Sequence, residues 1–417
     1  MASSSSPSSS SPVFDVREHT IQASHIREYP RATAVSQDEP LLLHVKQYTP
    51  KHGGPPRKGD ITIIGAHANG FPKPSSHFIS PTNIFMLQNN TASWLDYARD
   101  ILHLINTFRP PRPLIAMGHS FGANALTNAA LAHPRLFAGM VMLDPVIARF
   151  ASSRKDLPSS PETYASPASL SAFRRDTWPS RDAAAAAFRS KAFYQSWDPR
   201  VLDLFIRYGL RDVPSSSSSS SSLKLPDETM QLDDSKHKVY IYDLDAELSS
   251  DSDLDPSTNL LTNPSLAPDH DIDPSAPSTI PFYRPEGNNT AARLPHLRPP
   301  VLYVFGATST VSPPHLIREK LETTGVGVGG SGGARPGRVK HITHPQAGHL
   351  VPLEEPLFCA AAAAGWIKAE MDRWWDEEKE YEQWTRKPLE EKATLDDEFK
   401  KRLALPNRKG DKTKANL

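Results

Sequence analysis

The five residues Gly118-His119-Ser120-Phe121-Gly122 constrain this chain more than any other stretch. They follow a short apolar run, residues 114–117, and lead into an Ala-rich segment that favours helix. Strand, sharp G-x-S-x-G turn and helix form the setting in which the serine of that pattern is a nucleophile, lifted above the end of a sheet on strained backbone. The glycines follow from the same geometry, because a side chain at Gly118 or Gly122 would crowd so tight a turn. By its letters alone the pattern also fits an ordinary serine-containing turn. Its setting, and the partners found downstream, favour the nucleophile.

Composition bounds the rest. A chain of 417 residues holds one large α/β domain or two smaller ones. Its 47 basic residues balance 47 acidic ones, so bulk charge points neither to nucleic acid nor to an anionic membrane. The single cysteine, Cys359, cannot form an internal disulfide and fits a reducing compartment. No apolar run approaches the roughly 18–20 residues of a membrane span, so no transmembrane segment is expected. The Ser/Pro-rich residues 1–12 lack the apolar core of a secretory leader.

Periodicity then orders the elements. Residues 15–26 and 41–48 read as strands, and 61–64 as a short buried strand. Trp94, Tyr97, Ile101, Leu104, Ile105 and Phe108 recur at helical spacing over residues 93–108, and Pro110 stops that helix. The elbow strand 114–117, a helix over 124–132 and a strand over 139–143 follow. Helices are expected over 180–190 and 199–208, then strands over 301–305 and 338–343, and a helix over 366–384. Parallel strands before and after a helical insert predict an α/β fold bearing a cap.

A serine hydroxyl needs a base, the base an orienting acid, and the tetrahedral oxyanion two N–H donors. His349 is the base candidate among sixteen histidines, because it lies on a loop just past the last predicted strand, after Gly348. The loop after the penultimate strand, Gly306-Ala307-Thr308-Ser309-Thr310-Val311-Ser312, holds no carboxylate. One strand earlier, Leu143-Asp144-Pro145 places an aspartate at a strand end, which makes Asp144 the acid candidate. A turn aspartate bonding its own backbone is the plainer alternative. For the oxyanion, one donor is expected at the N–H of Phe121. The other falls to the loop Gly65-Ala66-His67-Ala68-Asn69-Gly70-Phe71-Pro72, at Phe71 first, with Asn69 or Ala68 as alternatives.

No cofactor or metal is expected. Gly325-Val326-Gly327-Val328-Gly329-Gly330 matches a dinucleotide fingerprint by letters, but it follows a helix and leads into no helix, so it reads as a flexible loop. His341 and His344 would face opposite sides of a strand, which argues against a shared metal with His349.

With these residues in hand, the chain resembles a fungal α/β-hydrolase family that includes peroxisomal lipases and the hydrolases of host-selective toxin gene clusters. The stretches that carry the resemblance are HIREYPR at 25–31, HANGFPK at 67–73, and residues 94–99, 118–123, 174–181, 196–212 and 348–356. The resemblance implies an α/β-hydrolase fold, a mostly parallel sheet with a helical cap, and serine-dependent hydrolysis of acyl esters without a cofactor. It also supports Asp144 as the acid. The implied domain plan is a Ser/Pro tail without structure over 1–12 and the first half of the core over 13–147. A cap over 148–298 contains a disordered acidic, Ser-rich insertion at about 213–280. The rest of the core spans 299–386, and a charged tail 387–417.

The chain departs from the family in one place. Fewer than twenty residues separate Pro72 from Asn90, where the fold normally has a helix, a strand and their loops. At roughly 1.5 Å per helical residue and 3.3 Å per strand residue that material does not fit. Either one central strand and its flanking helix are lost, or the gene model skips coding sequence. Since that strand is expected beside the elbow strand, its loss would leave backbone groups unpaired in the core.

The end of the chain, Lys414-Ala415-Asn416-Leu417, resembles an atypical peroxisomal import signal. It implies an import receptor as partner and a peroxisomal location, with the cytoplasm as the alternative. The first functional expectation is a lipase- or carboxylesterase-like serine hydrolase acting on a small acyl ester through an acyl-enzyme. An acyl-CoA thioesterase or acyltransferase of secondary metabolism is the second, and a non-catalytic homologue the third.

Overall fold

The computed structural model describes residues 5–7, 13–24, 42–52, 54, 57–68, 94–148, 175–212, 239–241 and 285–403. It divides into two units, residues 1–367 and 368–417.

The first unit begins with an antiparallel sheet of β1 (Ser5–Pro7), β2 (Phe14–Gln22) and β3 (Leu42–Pro50). Then come β4 (Thr62–Ala66), α1 (Trp94–Phe108), β5 (Leu114–His119), α2 (Phe121–Ala132) and β6 (Gly139–Leu143). A small module follows, made of β7 (Thr177–Trp178), α3 (Arg181–Ser190), α4 (Ala192–Gln195), α5 (Pro199–Tyr208), β8 (Leu210–Asp212) and β9 (Val239–Ile241). The chain returns through α6 (Pro285–Arg293), β10 (Val301–Gly306), α7 (Pro314–Thr323), β11 (Val339–His344), α8 (Val351–Glu354) and α9 (Pro356–Thr385).

Five of these strands form one sheet in the order β11-β10-β6-β5-β4, with every adjacent pair parallel. A parallel sheet is covered on both faces, so its strands read as unbroken apolar runs. Every residue of β6 and of β10 is accordingly buried. The small residues of α2 let it lie deep in the core, with Ala123, Ala125, Leu126 and Ala129 fully buried. Gly139 has the same logic, because a Cβ there would come within 2.7 Å of the Trp366 ring.

The module between β6 and β10 has its own core of Trp178, Phe188, Tyr194, Trp197, Leu202 and Phe205. Leu353, four residues past His349, belongs to that core, and Asp198 N–H donates to the Leu353 carbonyl at 2.9 Å. The module thereby rests on the segment that follows His349. Its helices are capped as their sequences suggest. Ser180 Oγ accepts the Ala183 N–H, and the Asp198 carboxylate accepts that of Arg200.

Several expectations need correcting. The elbow strand β5 is hydrogen-bonded on both sides, to β4 and to β6, so no partner is missing beside it. Among the described residues nothing pairs with the outer edge of β4, and the β1-β2-β3 sheet is separate from the five-stranded one. Ser5–Pro7, inside the tail expected to carry no structure, pairs with β2, because an edge strand needs only backbone groups. Val239–Ile241, inside the insertion expected to be disordered, bridges β7 and β8. That short β-branched and aromatic run is itself strand-favouring. The glycine loop after α7 is pinned rather than flexible. Gly325, Gly327 and Ser331 donate to the carbonyls of Leu294, Pro295 and Leu297.

The second unit holds the C-terminal part of α9 with α10 (Leu389–Ala393) and α11 (Asp397–Arg402), where a loosely held tail is expected from charge. Asp396 caps α11 by accepting the Phe399 N–H at 2.7 Å, and Lys400–Asp397 and Arg402–Glu398 pairs line its surface. No described helix is long and apolar enough to cross a membrane.

Candidate active site

Ser120 occupies the turn between β5 and α2 with φ 55° and ψ −119°, a backbone conformation that costs a non-glycine residue energy. Both glycines of the motif are required by contact. A Cβ on Gly118 would lie 2.7 Å from the Ala123 backbone, and one on Gly122 would lie 2.4 Å from the Ala66 carbonyl oxygen. The second clash shows how closely the start of α2 packs against the segment leaving β4. Ser120 N–H donates to Leu143 O, and its carbonyl accepts from Val146 N–H, so the elbow is laced to the segment around Asp144.

Asp144 directly follows β6, also at positive φ (41°), and its N–H donates to Val304 O of β10 at 2.8 Å. Its side chain is fully buried. His349 reaches it from the loop after β11, and close backbone packing holds that loop. Thr308 donates to Ala347 O through both its N–H (3.0 Å) and its hydroxyl (2.9 Å), while the Gly348 N–H donates to Glu354 Oε2 at 2.7 Å. Gly306 has to be glycine here, because a Cβ would lie 2.1 Å from Gly348 O.

These three elements bring together the three side chains singled out from the sequence. Ser120 Oγ lies 2.9 Å from His349 Nε2, and His349 Nδ1 lies 2.5 Å from Asp144 Oδ2. With the Nδ1–H donated to the carboxylate, Nε2 is the acceptor for the serine hydroxyl. Phe121 is the first residue of α2, so its N–H has no intrahelical acceptor and lies at the positive end of the helix dipole. Its ring stacks on Tyr97, with centroids 5.2 Å apart, and meets Trp94 edge-on. Ala68 is buried beside His67, whose Nδ1–H donates to the Ala68 carbonyl at 2.6 Å. Asn69 and Phe71, the other oxyanion candidates, lie outside the described residues, as do Lys414 to Leu417.

Reading the sequence missed two supporting groups and one buried lysine. Ser309, in the loop searched for a carboxylate, donates its hydroxyl to Asp144 Oδ2 at 2.6 Å. His119, the variable letter of the motif, donates Nε2–H to the His349 carbonyl at 2.9 Å. Its burial, with His349 beside it, pushes the imidazole down to about 3, so it stays neutral. Lys320 is 2% exposed on α7, and among the described residues its amine has no hydrogen-bond partner. The signal for it was present, since Lys320 shares a helix face with Ile317, Leu321 and Thr324. His341 is exposed, and His344 Nδ1 accepts the Ala347 N–H, so the two have separate surroundings.

A parallel sheet with a serine on a strained strand-to-helix turn is the architecture of α/β hydrolases. The model of the alpha/beta hydrolase family matches residues 50–362, and the chain belongs to that family. It is 35% identical over 406 residues to the "Type I acyl-CoA thioesterase mpaH" of Penicillium roqueforti, covering 89% of this chain and 92% of that protein. A Penicillium brevicompactum protein of the same name is 34% identical over 410 residues, covering 89% and 91%. The "Abhydrolase domain-containing protein AFT2-1" of Alternaria alternata is 25% identical over 260 residues, covering 62% and 84%. Among solved structures, the peroxisomal alpha-beta-hydrolase Lpx1 of Saccharomyces cerevisiae shares the fold, with a TM-score of 0.56 and 15% identity over 94% of this chain and 96% of that one.

Proposed function

We propose that the chain is a serine hydrolase that cleaves acyl-CoA thioesters through an acyl-enzyme on Ser120. The observation that carries this reading is the unbroken chain Ser120 Oγ, His349, Asp144, with contacts of 2.9 and 2.5 Å. His349 takes the hydroxyl proton as Ser120 attacks the thioester carbonyl, and Asp144 orients the ring and offsets the imidazolium charge. The Phe121 N–H and a donor from the loop after β4, Phe71 on the sequence reading, hold the oxyanion. His349 then returns its proton to the departing thiolate. Water, deprotonated by the same imidazole, attacks the acyl-serine, and the free acid leaves with Ser120 restored.

The triad chemistry is the same for an oxygen ester, which is why the ester reading ranks first on sequence alone. Relatives named acyl-CoA thioesterases that align with 89% of this chain bring the thioester forward. The module of α3–α5 and β7–β9, resting on the segment after His349, serves as the cap that selects the acyl group. A peroxisomal site of action accords with the location named for Lpx1. The test is thiol release from a panel of acyl-CoAs set beside acid release from matched aryl esters. Turnover confined to aryl esters would return the carboxylesterase reading to first place. Turnover of neither, by folded protein, would leave the non-catalytic homologue.

A further inference from the structure

The base is held by its backbone as well as by its acid. His119 is the last residue of β5, directly before the nucleophile, and is 3% exposed. Its Nε2–H donates to the His349 carbonyl at 2.9 Å, and the two rings lie 5.3 Å apart. A carbonyl oxygen only accepts, so this contact fixes the His119 tautomer, with the proton on Nε2. The loop around His349 has other anchors, but they act on its neighbours. His344 and Thr308 hold Ala347, and Glu354 holds the Gly348 N–H. Among the described residues, the His119 ring is the hydrogen-bond partner of the His349 main chain itself.

The donor and the acceptor stand on different kinds of backbone. β5 is hydrogen-bonded along both edges, to β4 and to β6, and His119 lies opposite Leu143 in the β6 register. The acceptor is on a loop. A side chain on a rigid strand holds its geometry more closely than one on a loop, so the strand fixes the loop and not the reverse. A neutral imidazole suits the position. It supplies one N–H without setting a second positive charge beside the imidazolium that forms on His349 during attack. We propose that His119 is a positioning residue for the base: its Nε2–H, donated to the His349 carbonyl, couples the loop after β11 to the strand that carries Ser120 and sets the distance between Ser120 and His349.

The size of the effect follows from geometry. The 2.9 Å contact between Ser120 Oγ and His349 Nε2 depends on where the His349 backbone sits. A misplacement of about 1 Å costs on the order of 10²-fold in rate. Without the His119 donor the part-buried His349 carbonyl loses its partner, and the loop is released from β5. The loss falls on the reaction step rather than on binding, because the bond acts on the base and not on substrate. The inference rests on the proposed roles of Ser120 and His349.

The test compares His119→Leu, which removes the donor, with His119→Gln, whose side-chain amide keeps an N–H at similar reach. The readout is fluorophosphonate modification of Ser120 in the full chain, resolved into a maximal rate and the probe concentration that gives half of it. His119→Leu is expected to lower the maximal rate by about 10- to 100-fold at an unchanged half-saturating concentration, and His119→Gln to recover most of that rate. Folded His119→Leu protein with the wild-type maximal rate, or equal loss in both variants, would overturn the inference. If His119→Leu fails to fold, nitrogen-15 NMR of the wild-type His119 ring decides: a neutral ring protonated on Nε2 is expected, and one protonated on Nδ1 would overturn the inference. Absence of labelling in the wild-type protein would instead strike the proposed roles of the triad, and the tautomer would still test the His119 bond.

Discussion

On one side of β5 lie β6, β10 and β11, each hydrogen-bonded to the next; on the other lies β4, with no partner strand on its outer edge among the described residues. The two sides contribute unequally to the site. Asp144 follows β6, Ser309 follows β10 and His349 follows β11, so the acid, its support and the base all come from the continuous side. The β4 side supplies only the loop expected to complete the oxyanion hole. The geometry of Ser120, His349 and Asp144 therefore does not depend on a strand beyond β4, and the short segment between Pro72 and Asn90 does not by itself argue against chemistry.

The comparison breaks most directly on the continuous side. Ser120→Ala should lower kcat by about 10⁴-fold or more, and Asp144→Asn by about 10⁴-fold through loss of the correct histidine tautomer, both read from thiol release with unchanged Tm. If the β4 side dominated instead, Asp144→Asn would cost little.

Gly306→Ala should rank next. Its Cβ meets two carbonyl oxygens of the His349 loop, at 2.1 and 2.4 Å, and backbone cannot yield as a flexible side chain can. A loss of about 10²-fold in kcat/KM is expected from displaced His349, with about 1–3 kcal/mol of stability. A variant with normal kcat/KM would show that the loop tolerates the shift.

How much of this was legible follows from how local each signal is. The elbow was readable because its strand, turn glycines and helix are consecutive, and β6 and β10 because buried parallel strands are written as apolar runs. Asp144 was readable only by noticing that Gly306 to Ser312 lacks a carboxylate. Ser309 was not read, because its role depends on β10 meeting β6, which no local pattern encodes. The error about β5 had the same origin. The shortage of residues after Pro72 was visible, but which strand it would bear on is set by spatial order.

A smaller effect concerns His119, which is buried on the continuous side. Its folded-state value lies below the ordinary 6.5, at about 3, so the unfolded chain binds more protons between those limits. The stability it contributes is complete above pH 6.5 and is lost as pH falls toward 3, on the order of 5 kcal/mol in total. Urea unfolding across that range should show a steeper acid loss in wild type than in His119→Gln. Equal slopes would contradict the burial of a neutral imidazole. The mildest expectation is for hydrogen exchange, slowest in β5, β6 and β10 and faster in β4. Equal protection would erase the contrast between the two sides.

The central claim is that Ser120 in this chain is an activated nucleophile. Fluorophosphonate labelling of the purified full-length protein tests it, followed by mass mapping and with Ser120→Ala alongside. Stoichiometric modification at Ser120, abolished in Ser120→Ala, is expected. Folded wild-type protein that stays unlabelled would contradict it.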